Sequence, residues 1–321
     1  MIKKLKVAIL FGGKSAEHEV SIQSAKNVYN ALDKNKYDIV MIGINRDGQW
    51  EIDDIKKFDV IFPVLHGPFG EDGTIQGLLK TINLPFVGSD VLGSAIGMDK
   101  DVAKRLLKET KIPVVPFLTF AKSSKISFEQ IVKKFGLPFF VKPANLGSSV
   151  GISKVHSENE FKQAIIKAFS YDNKILIEQY IKGREIECSV LGNDDPIASI
   201  PGEIIPSHEF YDYAAKYLDE NGAMLKIPAE LSQEIIKTIQ KLAIKTFKTL
   251  CLQGMARVDF FLSQKNKLYV NEVNTIPGFT NISMYPKLWE ASGMPQKQLL
   301  DRLIELALER HERQTKPQTT L

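Results

Sequence analysis

The sequence is poor in cysteine, with only Cys188 and Cys251 among 321 residues. Neither has a partner at metal-ligand spacing and both lie in apolar stretches. A disulfide scaffold and a cysteine-built metal site are therefore excluded, and two buried free thiols in a reducing compartment are expected. Long apolar runs are missing as well: no stretch approaches the ~20 residues of a membrane helix. The opening "MIKKLKVAILFGG" has charge and a short apolar run, but the run ends in glycines and reads as a first strand rather than a signal peptide. Nor is there a marked excess of one charge, since 42 basic residues face 38 acidic ones for a net charge of +4. The basic sets "MIKKLK", "KNK" and "IVKK" read as solvated faces. No nucleic acid and no membrane is expected as a partner, and a cytoplasmic location is.

Two further absences are local. "LFGGKSAEHEVS", residues 10 to 21, contains the Gly-Lys-Ser that ends a phosphate-binding P-loop and the His-Glu that begins a zinc-protease helix. A P-loop needs another glycine five positions before Gly13, where the chain has Ala8. The zinc motif needs a second histidine four residues after His18, where the chain has Ile22. Both readings fail, and Ser15 and Glu17 are left needing a purpose.

What is present is ordinary globular composition, 44% hydrophobic and 25% charged, at a length suited to two or three domains. Residues 1–95 alternate strand and helix ("KVAILFGG", "SIQSAKNVYNALDK", "YDIVMIGI", "VIFPVL", "TIQGLLKTI"), the pattern of a parallel sheet covered on both faces. Ligands collect at the C-terminal ends of such strands, which is where "FGGKSAEHE" and "HGPFGEDG" fall. Residues 96–182 read as α+β: the helix "DVAKRLLKET", a hairpin in "GLPFFVKPANLGSSVGISKV", the helix "ENEFKQAIIKAF" and the strand "KILIEQYI". A third unit, 183–321, holds "EIECSVLG", a polar excursion over 207–225, a long helix in "ELSQEIIKTIQKLAIKTFKTL", and the strands "ARVDFFL" and "KLYVNEVN".

Strand periodicity picks out the chemistry. Residues two apart point to one face, so Glu272 and Asn274 present oxygens side by side, as do Asp259 and its neighbour Arg257 their charges. Were the two strands adjacent, two carboxylates and an amide oxygen would converge on a site suited to Mg²⁺ shared with phosphates. An alternating strand facing solvent would give the same pattern. Lys142 sits in an apolar strand, which is costly unless its ammonium reaches an anion. The loop after it, with Gly147, Ser148, Ser149 and Gly151, can approach phosphate closely or be a plain turn. Lys100 is a second candidate cation or a surface lysine. Glu178 could accept an adenine amino proton and Glu185 could bind a ribose hydroxyl pair. His66 lies in a glycine-flanked loop after a strand.

The segments "GGKSAEHEVS", "HGPFGEDGTIQG", "MDK", "VKPANLGSSVG", "EFYDYAAKY", "RVDFFL" and "NEVNTIPGFTNISMYPKLW" occur in this order between Lys6 and Leu306. Together they resemble the D-alanine–D-alanine ligases of the ATP-grasp superfamily. The resemblance implies a three-lobed α/β and α+β fold with ATP held between the central and C-terminal lobes. It implies that Lys100, Lys142, Ser149 and Lys216 serve the phosphates, that Glu178, Tyr180 and Ile181 surround adenine, and that Glu185 takes the ribose. Asp259, Glu272 and Asn274 would hold two Mg²⁺ ions, which Mn²⁺ could replace. The first D-alanine would put its ammonium on Glu17 and its carboxylate near His66, with Ser148 and Tyr217 linked to Glu17. Arg257 and the backbone N–H of Gly278 would face the tetrahedral oxyanion, and Ser283 and Met284 the second carboxylate. The excursion containing Tyr217 would close as a lid, in which Ala214 stands where the family commonly has Glu. A homodimer is expected by the same analogy. D-alanine–D-lactate and D-alanine–D-serine ligases of the same fold, which tend to lack the lid tyrosine, and a regulator without turnover are the competing readings.

Overall fold

The computed structural model describes residues 3–50, 54–206 and 223–315. Lys216, Tyr217 and Ala214, with residues 207–222 of the expected lid, lie outside the described residues, and residues 223–225 begin a strand instead. Among the described residues no helix is long and apolar enough to cross a membrane.

The first sheet is parallel, in the order β2(Tyr37–Ile44), β1(Leu5–Gly12), β3(Val60–Pro63). Its central strand shows why an unbroken apolar run belongs there. Val7 and Ile9 face one core with Val60, Phe62 and the helix α1(His18–Ala31). Ala8 and Leu10 face another with Ile61 and Leu79, the latter on α2(Thr74–Thr81). Both sides are closed, so alternation of polar and apolar residues would be penalised. A short helix, α3(Val91–Met98), and α4(Lys100–Glu109) then lead away from this sheet. The glycines of α3 bring it hard against its neighbours: a Cβ on Gly93 would stand 2.5 Å from the Cys251 carbonyl oxygen, and one on Gly97 2.4 Å from the Thr275 methyl.

The second sheet is antiparallel, ordered β4(Phe117–Ala121), β7(Lys174–Gln179), β5(Phe139–Pro143), β6(Ser153–Val155). Phe139, Val141, Ile175 and Ile177 pack beneath α5(Phe128–Phe135) and α6(Glu158–Tyr171). The alternate residues, among them Lys142 and Glu178, point the other way. β5 and β6 form the expected hairpin around the glycine-serine loop.

The third sheet has the path β11(Ala223–Lys226), β10(Gly202–Pro206), β8(Gly183–Gly192), β12(Gly254–Ser263), β13(Leu268–Asn274), with β9(Ile197–Ala198) also on β8. Ile186, Cys188, Val190, Ala256, Val258 and Phe260 fill its core against α7(Gln233–Thr249). Two last helices, α8(Met284–Ala291) and α9(Gln296–Thr315), close the chain. α9 returns to the first sheet, where Leu299, Leu300, Leu303 and Ile304 share a core with Val7 and Ile9.

One expectation is corrected here. Cys188 is buried, but Cys251 is exposed. It follows Leu250, the C-cap of α7, in the left-handed region at φ 56°, the position just past a helix end, and its backbone there makes the packed contact while its side chain turns outward.

Candidate active site

β12 and β13 are antiparallel neighbours, so the convergence that periodicity only allowed is realised. Asp259 lies opposite Glu272 on one side and opposite Glu187 of β8 on the other, and Arg257 lies opposite Asn274. Arg257 donates twice to Asp259, at 2.7 and 2.8 Å, and its Nε is 2.9 Å from Glu187. Burial works against the guanidinium charge, but Asp259 and Glu187 outweigh it and hold the group protonated. The Asn274 amide donates to Asp259 at 2.9 Å, which leaves its oxygen as the atom to offer a cation. Glu272 is 3.6 Å from the Lys100 ammonium.

These residues sit where two cavities meet. One, of about 370 Å³, lies between the second and third sheets and is lined by Lys142, Ser149, Tyr180, Ile181 and Glu185. The other, of about 470 Å³, reaches toward the first sheet and is lined by Glu17, His66, Ser148, Gly278 and Ser283. Glu272 and Glu187 line both.

In the first cavity the cations are fixed from below. Glu178 is buried and receives Lys142 at 2.6 Å on one oxygen and Lys104 at 2.9 Å on the other. Burial alone would raise its pKa, yet the two lysines lower it below the usual carboxylate value. Its carboxylate is thus already engaged by ammonium groups, an arrangement that the sequence reading of Glu178 as an adenine acceptor did not include. Lys142 also donates to Asn271 at 3.3 Å. Lys100 begins α4, capped by Asp99, and its ammonium donates to the Leu146 carbonyl. Ser148, Ser149 and Gly151 all have positive φ, at 51°, 60° and 75°, a backbone course that can form an anion-binding concavity.

The second cavity is built on the strand end that posed the first puzzle. Gly12 has φ +89°, and a Cβ there would fall 2.3 Å from the Ile44 carbonyl oxygen, so only glycine lets β1 turn out of the sheet. The turn delivers Glu17 to the mouth of α1, where it is buried and accepts a short hydrogen bond from the Ser148 hydroxyl. His66 is buried beside it. Its Nδ1 is 3.1 Å from the Ile276 carbonyl and its Nε2 3.2 Å from Ser24. A carbonyl partner requires Nδ1 to carry the proton, and burial lowers the imidazole pKa, so the ring is neutral with both nitrogens engaged. Glu71 lies behind it, accepting from the backbone N–H groups of Gly67 at 2.7 Å and Ile276 at 3.1 Å. Burial, then the charge of Glu17, raise its pKa. Met284 turns its side chain into a core with Ile204 and Leu288, so what it can offer a ligand is its backbone N–H in the first turn of α8.

Every expected site residue within the described chain except Lys100 lines one of these cavities, and Lys100 stands behind Glu272. Glu71, Glu187 and Lys104 were missed. Glu71 was inside a quoted motif and Glu187 two residues beyond Glu185 on one strand face, so periodicity could have found the latter.

A divalent cation fits the donor set in one specific way. Among the described residues no group of three His, Cys, Asp or Glu side chains is arranged to hold a metal unaided. Two carboxylates and an amide oxygen suit an ion such as Mg²⁺ that takes its remaining ligands from phosphate and water.

Residues 6–58 and 51–89 match the family described as "D-ala D-ala ligase N-terminus", and residues 106–305 match "D-ala D-ala ligase C-terminus". The chain is 49% identical to the D-alanine–D-alanine ligase A of Salmonella typhimurium, covering 99% of this chain and 100% of that one. It is 51% identical to the D-alanine–D-alanine ligase of Shouchella clausii, over 97% and 96%. Among solved structures, the D-alanine–D-alanine ligase from Coxiella burnetii superposes with a TM-score of 0.89 at 43% identity, covering 98% and 96% of the two chains. The VanG D-Ala:D-Ser ligase from Enterococcus faecalis superposes at 0.85 with 37% identity, covering 95% and 100%. On matches that span the whole chain, the protein belongs to the D-alanine–D-alanine ligase family and has its ATP-grasp fold.

Proposed function

We propose that the protein joins two molecules of D-alanine into D-alanyl-D-alanine, the dipeptide of peptidoglycan precursors, with cleavage of ATP to ADP and phosphate. The observation that carries this reading is the meeting at Glu272 of a cavity that carries Lys142, Tyr180 and Glu185 with one that carries Glu17. A nucleotide in the first, with adenine beside Tyr180 and Ile181 and ribose at Glu185, would run its phosphates past Lys142 and Lys100 toward Glu272. A D-alanine in the second would pair its ammonium with Glu17 and bring its carboxylate to the same point. Mg²⁺ held by Asp259, Glu272 and Asn274 supplies charge neutralisation for phosphoryl transfer when bound.

In this reading the first D-alanine carboxylate attacks the γ-phosphorus, ADP leaves, and an acyl phosphate forms. The amine of the second D-alanine then attacks the acyl carbon, and phosphate leaves as the amine loses a proton. Arg257 and the Gly278 N–H stabilise the oxyanion, each donor typically worth ~3 kcal/mol. The Met284 N–H and the Ser283 hydroxyl receive the second carboxylate at the start of α8, where a helix favours an anion. By the family resemblance Lys216 would serve the phosphate side and Tyr217 the Glu17 side. His66 shapes the wall beside Glu17. We assign three lobes, with breaks near residues 95 and 182, a cytoplasmic setting and a homodimer.

The test is incubation with ATP, Mg²⁺ and single or paired D-amino acids, with products identified by mass. D-alanyl-D-alanine with ADP and phosphate is expected. AMP and pyrophosphate would overturn the phosphoryl-transfer chemistry, and D-alanyl-D-serine or D-alanyl-D-lactate as the main product would overturn the second substrate.

A further inference from the structure

Lys104 has no part in the reaction as drawn above, yet it occupies one of the most enclosed positions in the molecule. It lies one turn after Lys100 on α4, with its side chain 2% exposed. Its ammonium faces Glu178 at 2.9 Å and makes no hydrogen bond of good geometry among the described residues, and the Phe117 ring lies 5.9 Å away. Burial pulls its pKa down to about 8 against the opposing charge of Glu178, so the fold bears a cost to keep a cation there. An apolar side chain of the same length would pack without that cost. Helix propensity gives no reason for it either, because methionine and lysine are nearly equal in a helix.

The cation's partner explains the position. Glu178 stands across from Phe140 on the cleft face of β7, with Lys142 two residues along the neighbouring strand. A carboxylate held only by Lys142 could rotate about its last torsion, which is broad for glutamate. With Lys104 on one oxygen the carboxylate plane is fixed, and the other oxygen holds Lys142 at the cavity wall. We propose that Lys104 is a positioning residue for nucleotide binding, acting through Glu178 to set the Lys142 ammonium and the acceptor edge beside it. The inference rests on the reading of the first cavity as the nucleotide site.

The full-length variants Lys104→Met, Lys104→Gln, Glu178→Gln and Lys104→Met/Glu178→Gln separate the two ideas. For Lys104→Met we expect KM for ATP to rise about tenfold, within the range for coupled residues of one ion-pair network, with KM for D-alanine within twofold and an unchanged thermal midpoint. Lys104→Gln, which keeps a donor, should recover part of that loss. The double variant should be no worse than Glu178→Gln alone, because Lys104 would have nothing left to position. If Glu178→Gln itself leaves ATP affinity unchanged by calorimetry, the nucleotide reading of the cavity fails. If Glu178→Gln weakens ATP but Lys104→Met and Lys104→Gln do not, or if the two effects add, or if both KM values rise together, the positioning role is wrong. Should Lys104→Met not fold, Lys104→Gln decides by the same criteria.

Discussion

The two cavities that meet at Glu272 differ in how their cations are held: three lysines cluster on Glu178 and Glu272 beside one, and a single arginine, fully paired, serves the other. On the side between the second and third sheets, Lys100, Lys104 and Lys142 are held by Glu178 and Glu272, and the buried cations outnumber the carboxylates that contact them. On the side toward the first sheet, Glu17, Glu71 and Glu187 are all buried, and Arg257 is tied to Asp259 and Glu187. Desolvated charges cost free energy unless something answers them. The lysine cluster at one end of the first cavity therefore suits an anion, while carboxylates line much of the rest of its wall, and the carboxylates of the second suit an ammonium. Neither grouping could be read from a net charge of +4 spread over the chain.

The junction is where that contrast is most easily broken. Glu272→Gln keeps the size of the side chain and removes the charge between Lys100 and any divalent ion. Turnover should fall by roughly a thousandfold, with the thermal midpoint within a few degrees of wild type, since the loss falls on transition-state charge. ATP binding should weaken chiefly when Mg²⁺ is present. Turnover within threefold of wild type would mean that the polar face of β13 is only a solvent face.

A crossed pair of variants sharpens the comparison. Lys142→Met takes a cation from one cavity, and Glu17→Gln takes an anion from the other. Each removes a charge-assisted contact worth about 1.5–3 kcal/mol, or ten- to a hundredfold. The first should raise KM for ATP and the second KM for the first D-alanine, with little exchange between the two. Glu17→Gln still offers an oxygen to the Ser148 hydroxyl, so the link across the cleft survives. Equal rises in both constants for either variant would show that the cavities bind as one unit rather than as two separate sites.

How much of this was legible beforehand follows from what periodicity can carry. The alternation in β12 and β13 placed Arg257, Asp259, Glu272 and Asn274 on one face, and an apolar strand marked Lys142 as costly. Neither could say that the face is covered. Lys104 was hidden because "DVAKRLLKE" has the pattern of any amphipathic helix, and only the approach of β7 turns its polar side inward. α3 was hidden because glycine disfavours a helix by about 1 kcal/mol per residue. Its glycines serve the close contacts at Cys251 and Thr275 instead. The exposed thiol of Cys251 was missed because an apolar neighbourhood in sequence is not one in space. Glu71 was inside a quoted motif, yet nothing local showed that two backbone N–H groups would converge on it. These misses share a cause, the meeting in space of segments distant in sequence.

The smallest effect tests whether the acid-rich cavity acts on a group that should respond to it. His66 lies beside Glu17, whose charge favours imidazolium, but burial is the larger influence and lowers the pKa below 6.5. In the unfolded chain the imidazole takes up a proton as pH falls through about 6.5, while the folded protein refuses it until lower pH. The unfolded state then binds more protons, so stability contributed at neutral pH is lost as pH falls from about 7 toward the folded pKa, and nothing changes above that window. His66→Gln removes the titration. The difference in unfolding free energy between wild type and variant, from urea denaturation at pH 8, 7, 6 and 5.5, should be flat from pH 8 to 7 and shift against wild type below 6.5. The shift is limited to about 1.4 kcal/mol for each unit that the pKa is lowered. A difference that stays constant over the whole range would mean that Glu17 holds the imidazole as readily protonated as it is in water. The negative charge of this cavity would then outweigh its dryness, and Glu17 would have a second cation to answer besides its ligand.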